Sequence, residues 1–394
     1  MKRVLFLICL IFSFFDTPVF SQIQPTQKIF RIGVFAPLYL DSVFSHNEIL
    51  YAKSIPKFIM PAVEFVQGAQ IAFDTLSLNN EHVEAFIYDT KSYTQPIAWL
   101  TKNKVLDSLD LIIGSVKDVD FKQLADFSLK KNIPFISATY PNDGGVTINP
   151  FLAILNSTLK AHCEGIYSYI LQNHGTDKIF LCKRKGIQED RIAGYFKALN
   201  EQEGRPLLNI QILNFDSTVS LAFLRNKLDS THQNVIIGAS LDEEFAKNIT
   251  DASYAVSKKN YPVTLIGMPN WDGFRIFSKT SYKDFPIHFT TPYYNNKTDD
   301  FSTMLTAEYN RRYKSNPSDM AGKGFEIVRH FTKILLAYPD DFMSHLNDSS
   351  FKIFNDFNFR PVYTDKRKTG VPDYFENKHL YVMRILNGAV TREW

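Results

Sequence analysis

The sequence predicts an α/β protein of two doubly wound parallel-sheet lobes joined by a hinge, after an N-terminal signal peptide. Three observations carry that prediction. The chain of 394 residues is too long for one compact core and comfortable for two domains. Short apolar runs alternate with amphipathic stretches of about 10–15 residues, the grammar of βαβ units with right-handed crossovers. That alternation runs to residue 141 and starts afresh at Lys178.

Composition narrows the class. Hydrophobic residues make up 45% and charged residues 22%, which is ordinary for a globular protein. Aromatics reach 14%, with 34 Phe and 19 Tyr, and point to large cores and an aromatic-lined cleft. The net charge is only +3 (44 minus 41), with no Lys/Arg cluster, so no nucleic-acid partner is expected.

The N-terminus reads as a targeting segment. Lys2 and Arg3 precede an apolar run from Val4 to Phe15, and Val19 and Ser21 fit a cleavage site at Ser21/Gln22. The run is shorter than the ~18 residues a membrane span needs; an uncleaved anchor is the rival reading. Residues 1–21 are therefore expected to leave, with Cys9, giving a soluble periplasmic product of charge +2 (42 minus 40). No later stretch is long and apolar enough to span a membrane. Cys163 and Cys182 remain, the first on a helix and the second on the next strand. Export permits a disulfide, but two buried free thiols are the commoner outcome.

The elements follow in order. Residues 30–38 form an apolar strand, and 60–78 a helix with Val63, Val66, Ala69, Phe73 and Leu76 on one face. Strand 83–90, helix 96–109, strand 111–114, helix 121–132 and strand 133–141 complete the first series. A strand at 151–155 leads into helix 158–173. Strands at 178–184, 208–215, 234–240 and 262–269 follow, with helices at 189–203, 219–229, 242–258 and 272–280. Strand 285–294 and the long helices 299–315 and 319–338 come next, then a tail of short β-like pieces at 351–394. The polar stretch 364–379 reads as a solvated hairpin or loop. Residues 28–150 plus about 285–338 are assigned to an N-terminal lobe, and 151–284 plus about 339–394 to a C-terminal lobe.

Catalytic and cofactor motifs fail. There is no phosphate-binding GxxxxGK[ST], no GxGxxG after a strand, no GxSxG elbow and no HExxH. "AGKG" at 321–324 lies in a helical stripe and reads as a close-packing spot. His162, His174, His232, His288, His330, His345 and His379 show no ligand spacing. No enzyme, metal or cofactor is expected. Four N-x-[ST] tripeptides, at Asn156, Asn248, Asn296 and Asn347, are chance in an Asn-rich chain unless the source is eukaryotic.

The ordered set "RIGVFAPL", "FVQGAQIAFDTL", "DLIIGSVKDVDFKQLADFSLKKNIPFISATYP", "VIIGAS" and "TLIGMPNW" resembles the type I periplasmic binding proteins, which include branched-chain amino-acid receptors. The resemblance covers about residues 28–390, with Gly68 and Ala72 at the usual small positions of the first helix. "QGAQIAFDTL", "IYDT" and "DLIIG" are closest to a Bacteroidetes subgroup often fused to peptidoglycan-binding LysM repeats, although no LysM segment precedes the first strand. A more distant likeness is to lipoprotein activators of peptidoglycan synthases, whose lipid-bearing Cys is missing here. The resemblance implies a small polar ligand held at the strand ends between the lobes, and a place in an ABC-type uptake system. A ligand-free envelope scaffold, contacting envelope proteins or peptidoglycan, is the alternative.

The implied cleft residues are Tyr39, Ser115, Asp118, Thr139, Tyr140 and Asn142 on the first lobe and Ser240, Asp242, Asn270 and Trp271 on the second. Tyr293 and Tyr294 add aromatic faces. Where amino-acid receptors of this class carry a hydroxyl, the loop after "LIIG" carries Lys117, Asp118 and Asp120. The acid that meets a ligand ammonium is replaced by Pro269-Asn270, with Asp272 two residues on. Asp118 and Asp120 also suit a helix N-terminus, where acids cap amides and match the dipole.

Overall fold

The computed structural model describes residues 28–394 except 46–47, 52–54, 203, 217, 278–280 and 365–369. The expected signal peptide and its cleavage site lie outside the described residues. Two seven-stranded sheets, each flanked by helices, form two lobes.

The first lobe opens with β1 (Phe30–Ala36), α1 (Met60–Leu78), β2 (Val83–Asp89), α2 (Ile97–Lys102), β3 (Leu111–Gly114), α3 (Asp118–Lys131), β4 (Phe135–Ser137) and β5 (Leu152–Ile154). β2, β1, β3, β4 and β5 lie side by side, all parallel. β3 is buried on both faces, as a central parallel strand should be. Its Gly114 pairs with Ser137 of β4, the register the loop spacing implies.

The chain then crosses to the second lobe: α4 (Leu159–Asn173), β6 (Lys178–Arg184), α5 (Ile187–Asn200), β7 (Ile210–Phe215), α6 (Leu221–Lys227), β8 (Asn234–Gly238), α7 (Glu243–Ser257), β9 (Val263–Ile266) and β10 (Ile287–Thr291). Of the expected helix at 272–280, residues 278–280 lie outside the described residues, and the described part is a short 3-10 turn, Pro269–Gly273, followed by turns. Trp271 explains the difference. Its ring fills the space over Gly238 and Gly267, where an added Cβ would lie within 2.5 and 2.1 Å of indole atoms. That anchor pins the chain to the sheet before a helix can develop.

After β10 the chain returns to the first lobe with α8 (Asp300–Tyr313) and α9 (Asp319–Ala337), then β11 (Phe359–Val362) and β12 (Tyr374–Asn377). It crosses a last time into β13 (Tyr381–Leu386) and β14 (Ala389–Arg392). This corrects the expected lobe boundaries. Residues 287–291 belong to the second sheet, while β5, Phe359–Val362 and Tyr374–Asn377 belong to the first. Residues 342–359 also pack on the first core through Phe342, Leu346, Ile353 and Phe359. The hairpins cover sheet edges beside β5 and β10, and short β-like pieces carry no periodicity that says which edge they take. The expected solvated stretch 364–379 therefore includes a buried strand, with Glu376 and Asn377 almost wholly out of solvent.

Three crossovers, 155–158, 292–299 and 378–380, join the lobes. The first and third are laced together. Ser157 Oγ donates to Asn377 O at 2.6 Å, Thr158 N to Glu376 Oε1 at 2.8 Å, and Asn377 Nδ2 to Leu155 O at 3.4 Å. Lys378 pairs with Glu164 (2.8 Å) and Glu376 (2.6 Å).

α1 and α9 pack on each other with backbone contact. A Cβ on Gly68 would stand 1.9 Å from Ala321 O, and one on Gly324 would stand 1.9 Å from Phe65 O. "AGKG" is thus the close-packing spot the sequence suggests. The pairing is parallel, with Ser318 at the start of α9 donating to Glu64 near the start of α1 (2.7 Å). It sets the N-terminus of α9 at the same end of the lobe as that of α1.

Candidate functional site

The C-terminal ends of β1, β3 and β4 converge on a groove of about 360 Å³. Tyr39, Ser115, Asp118, Thr139 and Tyr140 line it, together with Lys91, Lys117 and Asp120. Asn142, also expected there, turns away: its side chain accepts from Gly144 N (2.9 Å) in a local turn.

Asp89, at the end of β2, builds the groove's near wall. Its carboxylate accepts from the backbone N–H of Leu38 (2.9 Å), Tyr39 (3.1 Å), Leu40 (2.7 Å) and Lys91 (2.9 Å). Tyr39 sits in the left-handed region (φ 54) and packs edge-on against Phe58. "IYDT" shows only a strand ending in polar residues, so the role of Asp89 was not legible.

On the far wall, Ser115 Oγ and Thr139 Oγ1 are 3.1 Å apart. One proton joins them, which leaves the other hydroxyl hydrogen free to donate. Asn156 Nδ2 fixes the loop by donating to Thr139 O (2.7 Å). The acids at the start of α3 do not cap amides with their side chains as expected. Asp118 (φ 52) accepts from Tyr140 Oη at 3.0 Å, and Asp120 pairs with Lys91 at 2.8 Å. Burial, then the Asp118 hydrogen bond, raises the Tyr140 pKa, and the Asp120 hydrogen bond raises that of Lys91. Both acids still lie in the first turn, where the helix dipole favours them.

The second-lobe residues are differently placed. Ser240 is fully buried and donates to Glu189 Oε1 at 2.6 Å. Arg184 Nε donates to the same oxygen at 2.9 Å, and its Nη1 lies 3.4 Å from Asp242. Burial works to raise the Glu189 pKa, but the Ser240 and Arg184 hydrogen bonds outweigh it and hold the carboxyl below its usual range. Asp242 caps α7 by accepting from Phe245 N (2.8 Å). Asn270 donates to Leu241 O (2.8 Å), leaving its buried Oδ1 without a partner. Trp271 has no exposed surface: it stacks on Phe277 with ring centroids 5.4 Å apart, and its indole N–H donates to Ser240 O (3.0 Å). This corrects the expectation of a ligand-stacking ring. The ring instead covers Gly238, the last residue of β8, and Gly267, just past β9. None of these four residues lines the groove.

Among the described residues no group of His, Cys, Asp and Glu could hold a metal, and no helix is long and apolar enough to cross a membrane. His162, His288 and His330 are buried, and burial pushes the His162 pKa down to about 3. Cys163 and Cys182 are buried free thiols.

This architecture, two doubly wound lobes linked by three crossovers, is the two-lobe fold of type I periplasmic binding proteins. Several solved structures share it across nearly their whole length. A branched-chain amino-acid ABC transporter periplasmic ligand-binding protein from Burkholderia xenovorans is 14% identical with a TM-score of 0.59, over 93% of this chain and 94% of that one. An ABC transporter substrate-binding protein from Desulfitobacterium hafniense is 11% identical with a TM-score of 0.58, over 93% and 100%. The substrate-binding protein LivJ of Streptococcus pneumoniae, in complex with isoleucine, is 16% identical with a TM-score of 0.52, over 93% and 99%. Neither a protein-family profile nor a curated protein sequence matches the chain. At such identities the likeness establishes the fold.

Proposed function

We propose that the protein is a non-enzymatic, exported binding protein that captures a small polar ligand between its lobes in the periplasm, as the substrate-binding component of an ABC-type uptake system. The observation that carries this reading is the groove at the ends of β1, β3 and β4, where the Ser115–Thr139 hydroxyl pair and the Lys117 ammonium line the space. Ligands of open α/β sheets settle at such strand ends. The solved structures of this fold include receptors for branched-chain amino acids. The acids at Asp118 and Asp120 argue against a plain amino-acid carboxylate in the groove.

A second reading has its own support. Ser240, Glu189, Arg184 and Asp242 satisfy one another within the second lobe. A lobe with its polar groups so committed suits an envelope scaffold or regulator near peptidoglycan, and the LysM-linked phrasing of "QGAQIAFDTL" and "DLIIG" agrees with that setting.

A thermal-shift screen of the mature chain against amino acids, sugars and peptidoglycan fragments separates the two. A ligand at 100 times its Kd stabilises the folded state by about 2.7 kcal/mol. A shift that Thr139→Val removes supports capture; no shift with any compound favours the scaffold.

A further inference from the structure

The groove is not the largest opening in the molecule. A chamber of about 690 Å³ lies beside the second crossover, and both lobes wall it. The first lobe supplies Leu305 of α8 and Lys323 of α9; the second supplies Asp272, Phe289 and Met383. Tyr293, on the crossover itself, lines the chamber and donates its hydroxyl to Ala138 O, next to the Thr139 that lines the groove.

Two lysines line the chamber, and they differ. Lys297 is paired with Asp319 at 3.2 Å. Lys323 has no carboxylate of the described residues within ion-pair reach; its ammonium stands 4.1 Å over the Tyr293 ring. The nearby acids are otherwise engaged. Glu326 accepts from Phe354 N (2.9 Å), Asn355 N (2.6 Å) and Asn355 Nδ2 (2.6 Å). Asp319, and Asp272 on the other lobe, still attract Lys323 through space without ion-pair contact. Burial lowers the Lys323 pKa and outweighs the upward pull of the acids around it.

We infer that this chamber binds a small organic carboxylate with an apolar body, its carboxylate on Lys323 Nζ and its body against Phe289, Leu305, Met383 and the Tyr293 ring. An anion there supplies the charge-assisted hydrogen bond the ammonium lacks. The apolar walls remove the rest of the molecule from water. Because residues of both lobes touch it, such a ligand would favour the closed arrangement of the lobes. This inference rests on the binding reading above and places recognition in a different compartment from the groove.

Calorimetric titration of the mature chain with phenylacetate, and with the neutral phenylacetamide, tests it. Phenylacetate is expected to bind at least about tenfold more tightly than the amide, the scale of one charged hydrogen bond. Lys323→Gln should weaken phenylacetate by about tenfold or more and abolish the acid–amide difference. Asp272→Asn should tighten phenylacetate, because it removes a repelling carboxylate and a competitor for Lys323; a folding defect would not give that sign. Ser115→Ala and Thr139→Val should leave phenylacetate binding unchanged. Equal binding of acid and amide, indifference to Lys323→Gln, or no binding of phenylacetate or hexanoate overturns the inference. Loss of binding on Thr139→Val alone also overturns it while leaving capture in the groove standing. Failure of every compound in the wider screen removes the binding reading itself.

Discussion

Replacing Gly68 by alanine should destabilise the protein, against the usual sign of a Gly-to-Ala change inside a helix. Alanine gains about 1 kcal/mol over glycine in helix propensity. At this position the new Cβ would stand 1.9 Å from Ala321 O and 2.9 Å from Phe325 N. Real Cβ contacts stay above 3.0 Å, so α9 must recede from α1 by at least about 1.1 Å. Both sides of the contact are backbone, and no rotamer change can absorb the shift. Ala321, Phe325, Val328 and Phe331 are fully buried in the first core, and their packing loosens with the helix. Overpacking typically costs about 1–3 kcal/mol, and a rigid backbone clash belongs at or above the upper end. The net expectation is a loss of roughly 2 kcal/mol or more once the propensity gain is subtracted. Urea unfolding monitored by circular dichroism reads it as a lower midpoint at unchanged slope. Gly194→Ala is the control: it lies within α5 with nothing within 4 Å of an added Cβ, so a gain of up to about 1 kcal/mol is expected. If Gly68→Ala proves as stable as Gly194→Ala, the backbone-contact argument is refuted.

Other expectations follow from buried groups. His162 is neutral in the folded state because burial lowers its pKa to about 3, whereas the unfolded chain takes up a proton near 6.5. The unfolded state therefore binds more protons below pH 6.5, and stability falls as pH drops from there towards 3; between pH 7 and 5 this group accounts for about 2 kcal/mol. His162→Gln should flatten the pH dependence of the urea midpoint by that amount, and an unchanged slope would contradict the assignment. Trp271→Ala should cost about 3–5 kcal/mol as a core truncation, measured by urea unfolding. A stable Trp271→Ala variant that loses only ligand binding would restore the ring to the cleft. Burial raises the Cys163 pKa to about 12 and that of Cys182 as well, so a thiol reagent should modify neither in the folded protein and both in guanidinium. A failure to titrate two thiols after unfolding would reveal a disulfide.

The sequence carried the fold well where burial writes a period. "LIIG" and "NVIIG" are short unbroken apolar runs and became central strands, and the 3.6-residue stripe of α9 marked its buried face. The tail was misassigned because pairing partners of short edge strands are set by three-dimensional proximity, which no local pattern encodes. The groove was half legible. Ser115, Thr139 and Tyr140 follow directly from strand ends, but Asp89 acts through backbone amides of a loop 49–51 residues away. Trp271 shows the opposite failure. A tryptophan after a strand reads equally as ligand platform or core plug, and only the glycines at 238 and 267 decide between them. Lys323 was invisible, since nothing in "AGKG" says that its neighbours are already paired.

The crossovers tie the two compartments to one motion. Among the described residues the chain passes between the lobes at 155–158, 292–299 and 378–380, and the first and last are hydrogen-bonded into one unit. Relative movement of the lobes must therefore be absorbed largely in the middle segment and around that unit. Tyr293 sits in the middle segment, carries the Lys323 ammonium over its ring, and holds the loop after β4 through Ala138 O. Tyr294 N, next along, is fixed by Asn355 Oδ1 at 2.7 Å, and the Asn355 amide is in turn held by the buried Glu326. A displacement of this segment changes the chamber wall and the groove loop together. Were both compartments to hold ligands, this segment would be the physical link through which one influences the other, whereas a side-chain change confined to the groove leaves the segment in place.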